Sequence, residues 1–376
     1  MTRRAAFVYD EAMSQHQLRA DHPMRPIRLQ HTFDLLNAYS AFDGSSSRLV
    51  PARAASEQEL GWLHTQEYIE AVKSFSLGLS SHDLNRFNFT GQGDNPTYPG
   101  MYDAAALSTG GTLVAAEMVF QGQVDVAFNI SGGLHHAAPG HASGFCVFND
   151  PALAVKYFLA QGWRVAYVDI DAHHGDGVQN AFFDDPRVLT ISVHESGQFL
   201  FPGTGHGNEV GVGPGLGYSV NLPLYPYTGD EIYLESFGEI VPPLLRAFAP
   251  DVLVTQLGID SYHSDPLTHL QITTRGYVAA IKELAALGLP WLALGGGGYD
   301  LSAVARGWTL AYGVMLDVEW PDQLPSEFTG RLGGNNLRDT LDPEIPADIR
   351  QKARSFAEES TATIKREIFP VHSMTG

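Results

Sequence analysis

Residues 165–177 read VAYVDIDAHHGDG, and this stretch decides the fold class. Residues 165–170 form a short, largely apolar run, which is typical of a strand buried in a parallel sheet. Two carboxylates and two imidazoles crowd the end of that strand: Asp169, Asp171, His173 and His174. In open α/β sheets, ligands bind beyond the carboxyl ends of the strands. The stretch therefore predicts an α/β fold with a chemical site at one edge of a parallel sheet.

The rest of the chain repeats this pattern of short apolar strands and intervening helices. Strands are predicted at Ala5–Tyr9, Val124–Ile130, Val165–Ile170, Val188–Val193, Tyr218–Leu224, Val252–Gln256 and Trp291–Leu294. Helices are predicted at Ile27–Ala38, Glu57–Phe75, Ala104–Phe120, Pro151–Leu159, Asp230–Phe248, Thr274–Leu287, Ser302–Leu316 and Ile345–Ile368. This alternation indicates a mostly parallel sheet with helices on both faces. Asp43–Ser47 is predicted to be a loop, and no linker divides residues 1–376, so we expect a single domain with a helical extension over residues 340–370.

The composition and net charge limit the classes of molecule that the protein is expected to bind. Of the 376 residues, 44% are hydrophobic and 17% charged, which is typical of a globular chain. The net charge of −19 disfavours a nucleic-acid backbone as partner and favours cationic or lysine-rich ligands. Cys146 is the single cysteine, so no internal disulfide can form. No apolar run is long enough for a signal peptide or a membrane span, and we therefore expect a cytoplasmic protein.

The acidic strand end predicts a metal site. Asp169, Asp171 and His173 share one side by the period of two that governs strands. Asp260 follows a second strand, so Asp171, His173 and Asp260 can form a three-ligand site with an open position for water, as in catalytic zinc sites. The alternative is that the acids cap helices and the histidines are core residues.

Two further strand ends carry groups suited to acid–base chemistry. His135 and His136 follow a glycine pair after one strand, and imidazole transfers protons near neutral pH. Gly295–Gly298 precede Tyr299 after another strand, where the phenol can donate to an oxyanion. The glycines can alternatively cradle a phosphate, although they lack the Lys-Ser/Thr of a phosphate loop.

The motifs together resemble the zinc-dependent histone deacetylase family, including its bacterial acetoin-utilisation-type members. The matching segments lie at residues 22–26, 107–111, 132–137, 142–146, 169–177, 201–205, 256–260 and 295–299. The resemblance implies the arginase/deacetylase α/β fold with an eight-stranded parallel sheet. It also implies a hydrolase that releases acetate from acetylated amines, most simply from acetyl-lysine in proteins or peptides.

The resemblance implies a role for each residue of the site. Three residues are implied to bind Zn²⁺: Asp171, His173 and Asp260. His136 is implied to act as the general base and later as the acid, oriented by Asp176. His135, paired with Asp169, is implied to be its electrostatic partner. Tyr299 is implied to polarise the acetyl carbonyl together with the metal.

The resemblance also implies a substrate pocket and bound K⁺. The residues implied to form or border a narrow tunnel for the lysyl stem are Asp94, Gly144, Phe145, Phe201 and Leu267. Arg28 matches an arginine of an internal acetate channel. One potassium site is implied at Asp169, Asp171, His173, Ser192 and Val193. A second is implied at Phe182, Asp185, Val188 and Tyr218.

Departures from the family pattern bear on partners and substrate. Of three basic positions that bind inositol phosphate with a corepressor, this chain keeps Arg25 but has Pro266 and Ser302, so no corepressor is expected. Acetylpolyamine-specific relatives can carry a glutamate at the rim position held by Leu267, so its absence disfavours a polyamine substrate. The alternatives that stay open are an acetylpolyamine amidohydrolase, a two-metal ureohydrolase of the arginase type and a non-catalytic acetyl-lysine binder. Iron(II) in place of zinc, an oligomeric state and a rim role for His263 also stay open.

Overall fold

The computed structural model describes residues 3–16, 18–79, 81–91 and 93–375. Within these ranges one sheet contains eight strands, numbered in chain order: β1 Ala5–Val8, β2 Ser47–Val50, β3 Val126–Asn129, β4 Val165–Asp169, β5 Val188–Glu195, β6 Ser219–Leu224, β7 Val252–Gln256 and β8 Trp291–Leu294. Their spatial order is β2-β1-β3-β8-β7-β4-β5-β6, and all neighbouring pairs are parallel. The predicted fold class is therefore confirmed.

Helices cover both faces of the sheet, as burial of a parallel sheet requires. Those of the described ranges are α1 Ala12–Gln15, α2 Ile27–Ala38, α3 Glu57–Leu60, α4 Gln66–Ser76, α5 Met101–Phe120, α6 Asp150–Ala160, α7 Asp176–Ala181, α8 Asp230–Phe248, α9 Thr274–Ala285, α10 Leu301–Leu316 and α11 Ala347–Glu367. Apolar side chains of α8, α9 and α10 pack on one face of the sheet, and those of α5 and α6 pack on the other. None of the helices in the described ranges combines the length and the apolar content that a membrane crossing requires.

Most predicted elements lie close to their expected bounds, but two predictions were wrong. The single helix predicted over Glu57–Phe75 is two helices, because α3 ends at Gly61 and Thr65 caps a new helix by accepting a hydrogen bond from the Tyr68 amide. The predicted loop Asp43–Ser47 ends in β2, which begins at Ser47. This strand was not predicted because its sequence contains no apolar run. This strand lies at the edge of the sheet and is partly exposed, so it lacks the apolar pattern of the inner strands. The short helices α1 and α7 were not predicted either.

The topology brings four distant segments to one edge of the sheet. Strands β3, β8, β7 and β4 are successive neighbours, although they are far apart in sequence. Their carboxyl ends are followed by the His135–His136 segment, the Gly295–Tyr299 segment, Asp260 and Asp171 in that spatial order. Because parallel strands end at the same edge, the four predicted groups converge there.

Candidate metal and catalytic site

Three predicted metal ligands form a tight buried cluster. Asp171, His173 and Asp260 each offer a ligand atom, and these atoms lie within 4.8 Å of one another. The Nδ1 atom of His173 is 2.8 Å from Asp260 Oδ2 and 3.1 Å from Asp171 Oδ1. Within the part of the chain that the structure describes, this is the one group of three such residues with potential metal-ligand geometry.

In each carboxylate, the oxygen that points away from His173 accepts hydrogen bonds from the surrounding protein. Asp171 Oδ2 accepts hydrogen bonds from Gln256 Nε2 at 2.6 Å and from the Gly297 amide at 2.7 Å. Asp260 Oδ1 accepts one from the Ala172 amide at 2.7 Å. The other oxygen of each carboxylate faces His173, so the ligand atoms are fixed in orientation before any ion binds.

The electrostatics of the cluster favour a bound cation. Burial and the neighbouring Asp171 raise the pKa of Asp260 to about 8. Burial opposes a charge on His173, but Asp260 and Asp171 raise the pKa of its imidazole well above the ordinary value. Two like charges in a buried site need a positive partner. The two carboxylates and one imidazole thus fit a divalent metal, with zinc the characteristic choice in the family that the sequence resembles and a harder ion such as iron(II) also compatible.

Asp169 does not belong to this cluster, although the period of two placed it on the same side as Asp171 and His173. Its Oδ2 atom accepts a hydrogen bond from the Tyr167 hydroxyl at 2.6 Å and lies 2.7 Å from His135 Nδ1. β4 ends at Asp169, so the alternation of a strand does not extend to the residues that follow.

His135 and His136 form a polarised pair beside the metal cluster. Their Nε2 atoms are 3.0 Å apart, and His136 Nδ1 lies 2.7 Å from Asp176 Oδ1. Burial opposes a charge on His135, but Asp169 and Asp171 raise the pKa of its imidazole to about 9. Burial and the adjacent His135 lower the pKa of His136 to about 4. The pKa values of the two imidazoles are therefore shifted in opposite directions, which is the separation of roles that acid–base chemistry requires.

Two buried residues that the sequence analysis did not single out hold the histidine segment. Asn149 Nδ2 donates to the carbonyls of His135 at 3.0 Å and of Ala137 at 2.9 Å. The carboxylate of Asp150 accepts hydrogen bonds from three donors: Gly133 N, Leu134 N and Thr112 Oγ1. The sequence Asn149-Asp150-Pro151 is typical of the start of a helix, and Asn149 does cap α6. That pattern explained both residues locally, so it gave no reason to connect them with the histidine segment.

The glycine segment carries Tyr299 to the cluster. A Cβ atom on Gly297 would lie 2.2 Å from Asp260 Oδ2, so a side chain at this position would displace a ligand. The Tyr299 amide donates to Asp265 Oδ2 at 2.8 Å. Arg28 donates to the carbonyls of Gly296 and Gly298, both at 2.7 Å. Burial and the nearby Asp260 raise the pKa of Tyr299 well above its ordinary value, so its phenol stays a proton donor.

Aromatic rings surround these groups. The ring of Phe201 lies 5.1 Å from that of His136, and the ring of Phe145 lies 5.7 Å from that of Tyr299. Gly144 has a positive φ of 48°, and a Cβ there would lie 2.3 Å from His136 Cδ2. The predicted pocket residues Gly144, Phe145 and Phe201 are thus next to the catalytic candidates.

The remaining substrate candidates lie farther out or deeper in the protein. Asp94 is exposed, and its carbonyl oxygen is 3.2 Å from His22 Nε2. Leu267 is half-buried, and its amide donates to Asp265. Arg28 is buried and borders a cavity of about 60 Å³ that Phe145 also lines.

The predicted potassium residues occupy two places beside this site. Ser192 pairs with Asp169 across β4 and β5, and its Oγ atom is 2.8 Å from His194 Nδ1. Val193 follows it in β5. Phe182 and Asp185 belong to the turn that leads into β5 at Val188, and Tyr218 directly precedes β6. Both potassium sites stay predictions.

Comparisons with known proteins agree with this geometry. The family model of the histone deacetylase domain matches residues 22–315. Acetoin utilization protein AcuC of Bacillus subtilis (strain 168) is 41% identical over 333 residues, which cover 87% of this chain and 86% of that protein. Histone deacetylase 1 of Homo sapiens is 37% identical over 326 residues, which cover 86% of this chain and 67% of that protein.

Solved structures share the same architecture. A crystal structure of an HDAC homolog from Aquifex aeolicus has a TM-score of 0.86 at 28% identity, covering 95% of this chain and 100% of that one. A crystal structure of an HDAC homolog complexed with SAHA has a TM-score of 0.87 at the same 28% identity, with the same 95% and 100% coverage.

Proposed function

Because the chain belongs to the histone deacetylase family and is a deacetylase, we propose that it hydrolyses the amide of N6-acetyl-lysine in proteins or peptides and releases acetate. The observation that carries this proposal is the buried Asp171–His173–Asp260 cluster, whose ligand atoms lie within 4.8 Å beside a polarised histidine pair. We assign the resident metal as zinc, in line with the family, and we keep the predicted potassium sites and a cytoplasmic location as parts of the same proposal.

The cluster supports metal-assisted hydrolysis. A divalent metal held by Asp171, His173 and Asp260 supplies Lewis-acid polarisation of water and of the amide carbonyl. The chain's own contribution is to fix the three ligands in advance, through the donors from Gln256 and from backbone amides.

His136 is assigned as the general base. Its Nδ1 atom faces Asp176, and its Nε2 atom, which lies 3.0 Å from Nε2 of His135, is assigned to exchange that contact for the attacking water and accept its proton. The low pKa of its imidazole keeps it unprotonated at neutral pH, as a base must be. The same nitrogen then delivers the proton to the leaving amine. His135, whose pKa is raised by Asp169, lies beside it and is assigned to stabilise negative charge in the site.

Tyr299 is assigned as the donor to the oxyanion. Its backbone is fixed by Asp265 and its segment by Arg28, while its phenol remains protonated because burial raises its pKa. A positioned donor of this type contributes about 3–4 kcal/mol to the stabilisation of the transition state.

The residue at the predicted rim of the pocket, Leu267, favours an acetyl-lysine substrate over an acetylpolyamine. Leu267 is apolar and half-buried where an acidic residue would attract a second ammonium group. The net charge of −19 attracts lysine-rich substrates in general and does not distinguish the two. The acetylpolyamine amidohydrolase reading is therefore the second candidate.

The test is a substrate panel with the metal-loaded protein. An acetyl-lysine peptide is expected to be hydrolysed with a higher kcat/KM than N-acetylputrescine, with acetate release as the measurement. Tyr299→Phe is expected to lower kcat by about 10²–10³-fold on the peptide, because one oxyanion donor is lost. Bound metal, measured by elemental analysis, should be retained in this variant.

The matched control is Tyr157→Phe, which removes a phenol from the half-buried tyrosine of α6 and should leave kcat unchanged. A Tyr299→Phe variant with full activity would refute the assigned role of the phenol. Higher kcat/KM on N-acetylputrescine would instead favour the polyamine substrate.

A further inference from the structure

Four aromatic side chains lie at the surface beside the catalytic edge of the sheet, and we call them the aromatic shelf: Phe199, Tyr225, Tyr227 and His269. Phe199 and Tyr225 have ring centroids 5.2 Å apart, and Tyr227 and His269 have ring centroids 6.1 Å apart. Phe199 is 46% exposed and Tyr227 is 45% exposed. None of the four has a part in the assigned reaction.

Two segments of the shelf are adjacent in sequence to residues that contact the site. Phe199 lies two residues before Phe201, whose ring is 5.1 Å from His136. His269 directly follows Thr268, whose hydroxyl donates to the carbonyl of Asp260. The two segments follow β5 and β7, and Tyr225 and Tyr227 follow β6. The four residues therefore follow the carboxyl ends of β5, β6 and β7, which lie at the same edge of the sheet as the metal ligands.

Glu195, in β5, forms hydrogen bonds to the segment of His269 and to the segment of the metal ligands. Its carboxylate is buried, and its two oxygens accept from the His269 amide at 2.8 Å and face His269 Nδ1 at 2.9 Å. Its own amide donates to the carbonyl of Ala172, which lies between two metal ligands. The side chain of His269 is nevertheless 49% exposed. A buried acid thus holds an exposed ring in one orientation, which reduces the entropy cost of binding at that ring.

Tyr227 is held in an unfavourable backbone conformation. Its φ is +66°, in the left-handed region that residues other than glycine, asparagine and aspartate rarely occupy. Its amide donates to the carbonyl of His269 at 2.9 Å, which keeps the two residues together. Strain of this kind concentrates at functional sites.

From these contacts we propose that the aromatic shelf binds a large apolar or aromatic side chain next to the acetyl-lysine in an extended peptide. This inference rests on the proposed function. We assign the shelf to a peptide substrate. A small acetylated amine fits within the pocket, whereas the residues that flank an acetyl-lysine in a peptide must lie on the surface around the pocket. Other exposed apolar residues, such as Leu49, Leu77 and Leu341, follow no strand end of the catalytic edge with a paired aromatic ring.

The experiment compares three substrates with the metal-loaded protein. Two are peptides with acetyl-lysine flanked on both sides by phenylalanine or by alanine, and the third is Nα-acetyl-N6-acetyl-lysine methylamide. The wild-type chain is expected to have a kcat/KM about five- to tenfold higher for the phenylalanine peptide, the gain typical of an added aromatic contact. Phe199→Ala and Tyr227→Asn are expected to bring this ratio close to one. Asparagine is chosen because it tolerates a positive φ.

Leu77→Ala is the matched control, since it removes an exposed apolar side chain at the end of α4, outside the shelf, and should keep the wild-type ratio. Inactivity on all three substrates would refute the proposed function itself. Activity on all three with a ratio near one in the wild-type chain, or an unchanged ratio in both shelf variants, would refute the shelf alone. Light scattering that shows a wild-type dimer and monomeric shelf variants would assign the shelf to a second copy of the chain and overturn the proposal.

Discussion

At the scale of single residues, the site depends partly on side chains whose local sequence pattern indicates a different role. The ligands and histidines stand out in the sequence because polar residues follow apolar strands. Asn149 and Asp150 do not, because their partners lie in a segment that only the tertiary structure brings close. Glu195 does not stand out either, because it is the last residue of β5 and its hydrogen-bond partner His269 is distant in sequence. Sequence therefore predicts the reacting groups better than the groups that orient them.

Asp150→Asn is the residue-scale prediction. The carboxylate of Asp150 accepts from the Gly133 amide at 3.0 Å, the Leu134 amide at 2.9 Å and Thr112 Oγ1 at 2.6 Å. An amide group must turn its own N–H atoms towards at least one of these donors, so a buried donor loses its partner. We expect the free energy of unfolding to fall by about 1–3 kcal/mol, as measured by denaturant titration.

The same substitution should lower kcat, because Gly133 and Leu134 lead directly into His135. Asp103→Asn, at an exposed acid in the first turn of α5, is the control and should change neither quantity. A kcat equal to that of the wild-type chain, in a variant with reduced stability, would separate Asp150 from catalysis and leave it a purely structural residue.

At the scale of elements, the structure differs from the sequence predictions where a short segment interrupts a helical pattern or lies at the edge of the sheet. The break between α3 and α4 has local signals, since Gly61 is the C-cap of α3 and Thr65 caps the next helix. Those signals were outweighed by the apolar periodicity that continues across the break. β2 has no such signal, because an edge strand four residues long is specified by its pairing with β1.

The C-terminal helix α11 provides the element-scale prediction. It packs against β6 and α8, beyond the residues that the family model matches, and the Ser360 hydroxyl donates to the carbonyl of Pro223 at 2.8 Å. We propose that it belongs to the same folding unit as the sheet. Ile364 is fully buried there, so Ile364→Ala should lower the free energy of unfolding by about 2–5 kcal/mol.

Arg354→Ala is the contrasting variant on the same helix. Arg354 pairs with Glu231 and Glu235, but these groups are substantially exposed, so the loss should be much smaller than that in Ile364→Ala. Thermal unfolding followed by circular dichroism should show one transition in each variant. Two separate transitions in Ile364→Ala, with full deacetylase activity after the first, would show that α11 folds independently of the site.

At the scale of the whole molecule, the class of fold follows from simple features of the sequence. Alternating strands and helices predict a parallel sheet, and polar residues at strand ends predict the edge that carries the chemistry. The order of the strands does not follow from these features. The adjacency of β3, β8, β7 and β4 brings residues about position 135 next to residues about position 297, and it was anticipated only through the family resemblance.

The pH dependence of stability is the prediction for the whole molecule. His64 is buried, and burial lowers its pKa from 6.5 to about 4. Its Nε2 atom accepts a hydrogen bond from the Asn149 amide at 3.0 Å, so the neutral imidazole is the form that the fold uses. Above pH 6.5 the residue is neutral in both the folded and the unfolded chain, and its contribution is constant.

As the pH falls from 6.5 towards 4, the unfolded chain binds a proton at His64 that the folded chain does not. The free energy of unfolding should therefore decrease by about 1.4 kcal/mol per pH unit from this residue alone. In His64→Gln, the amide oxygen can accept from Asn149 without titrating. The difference between the two proteins, measured by urea unfolding at pH 7, 6 and 5, should therefore shift in favour of the variant as the pH falls. Because the metal cluster and its carboxylates are present in both proteins, their own pH dependence cancels in this difference. Parallel stability curves would mean that the imidazole of His64 has the same pKa in the folded and unfolded chain, and that Asn149, and with it the histidine segment, is held in some other way.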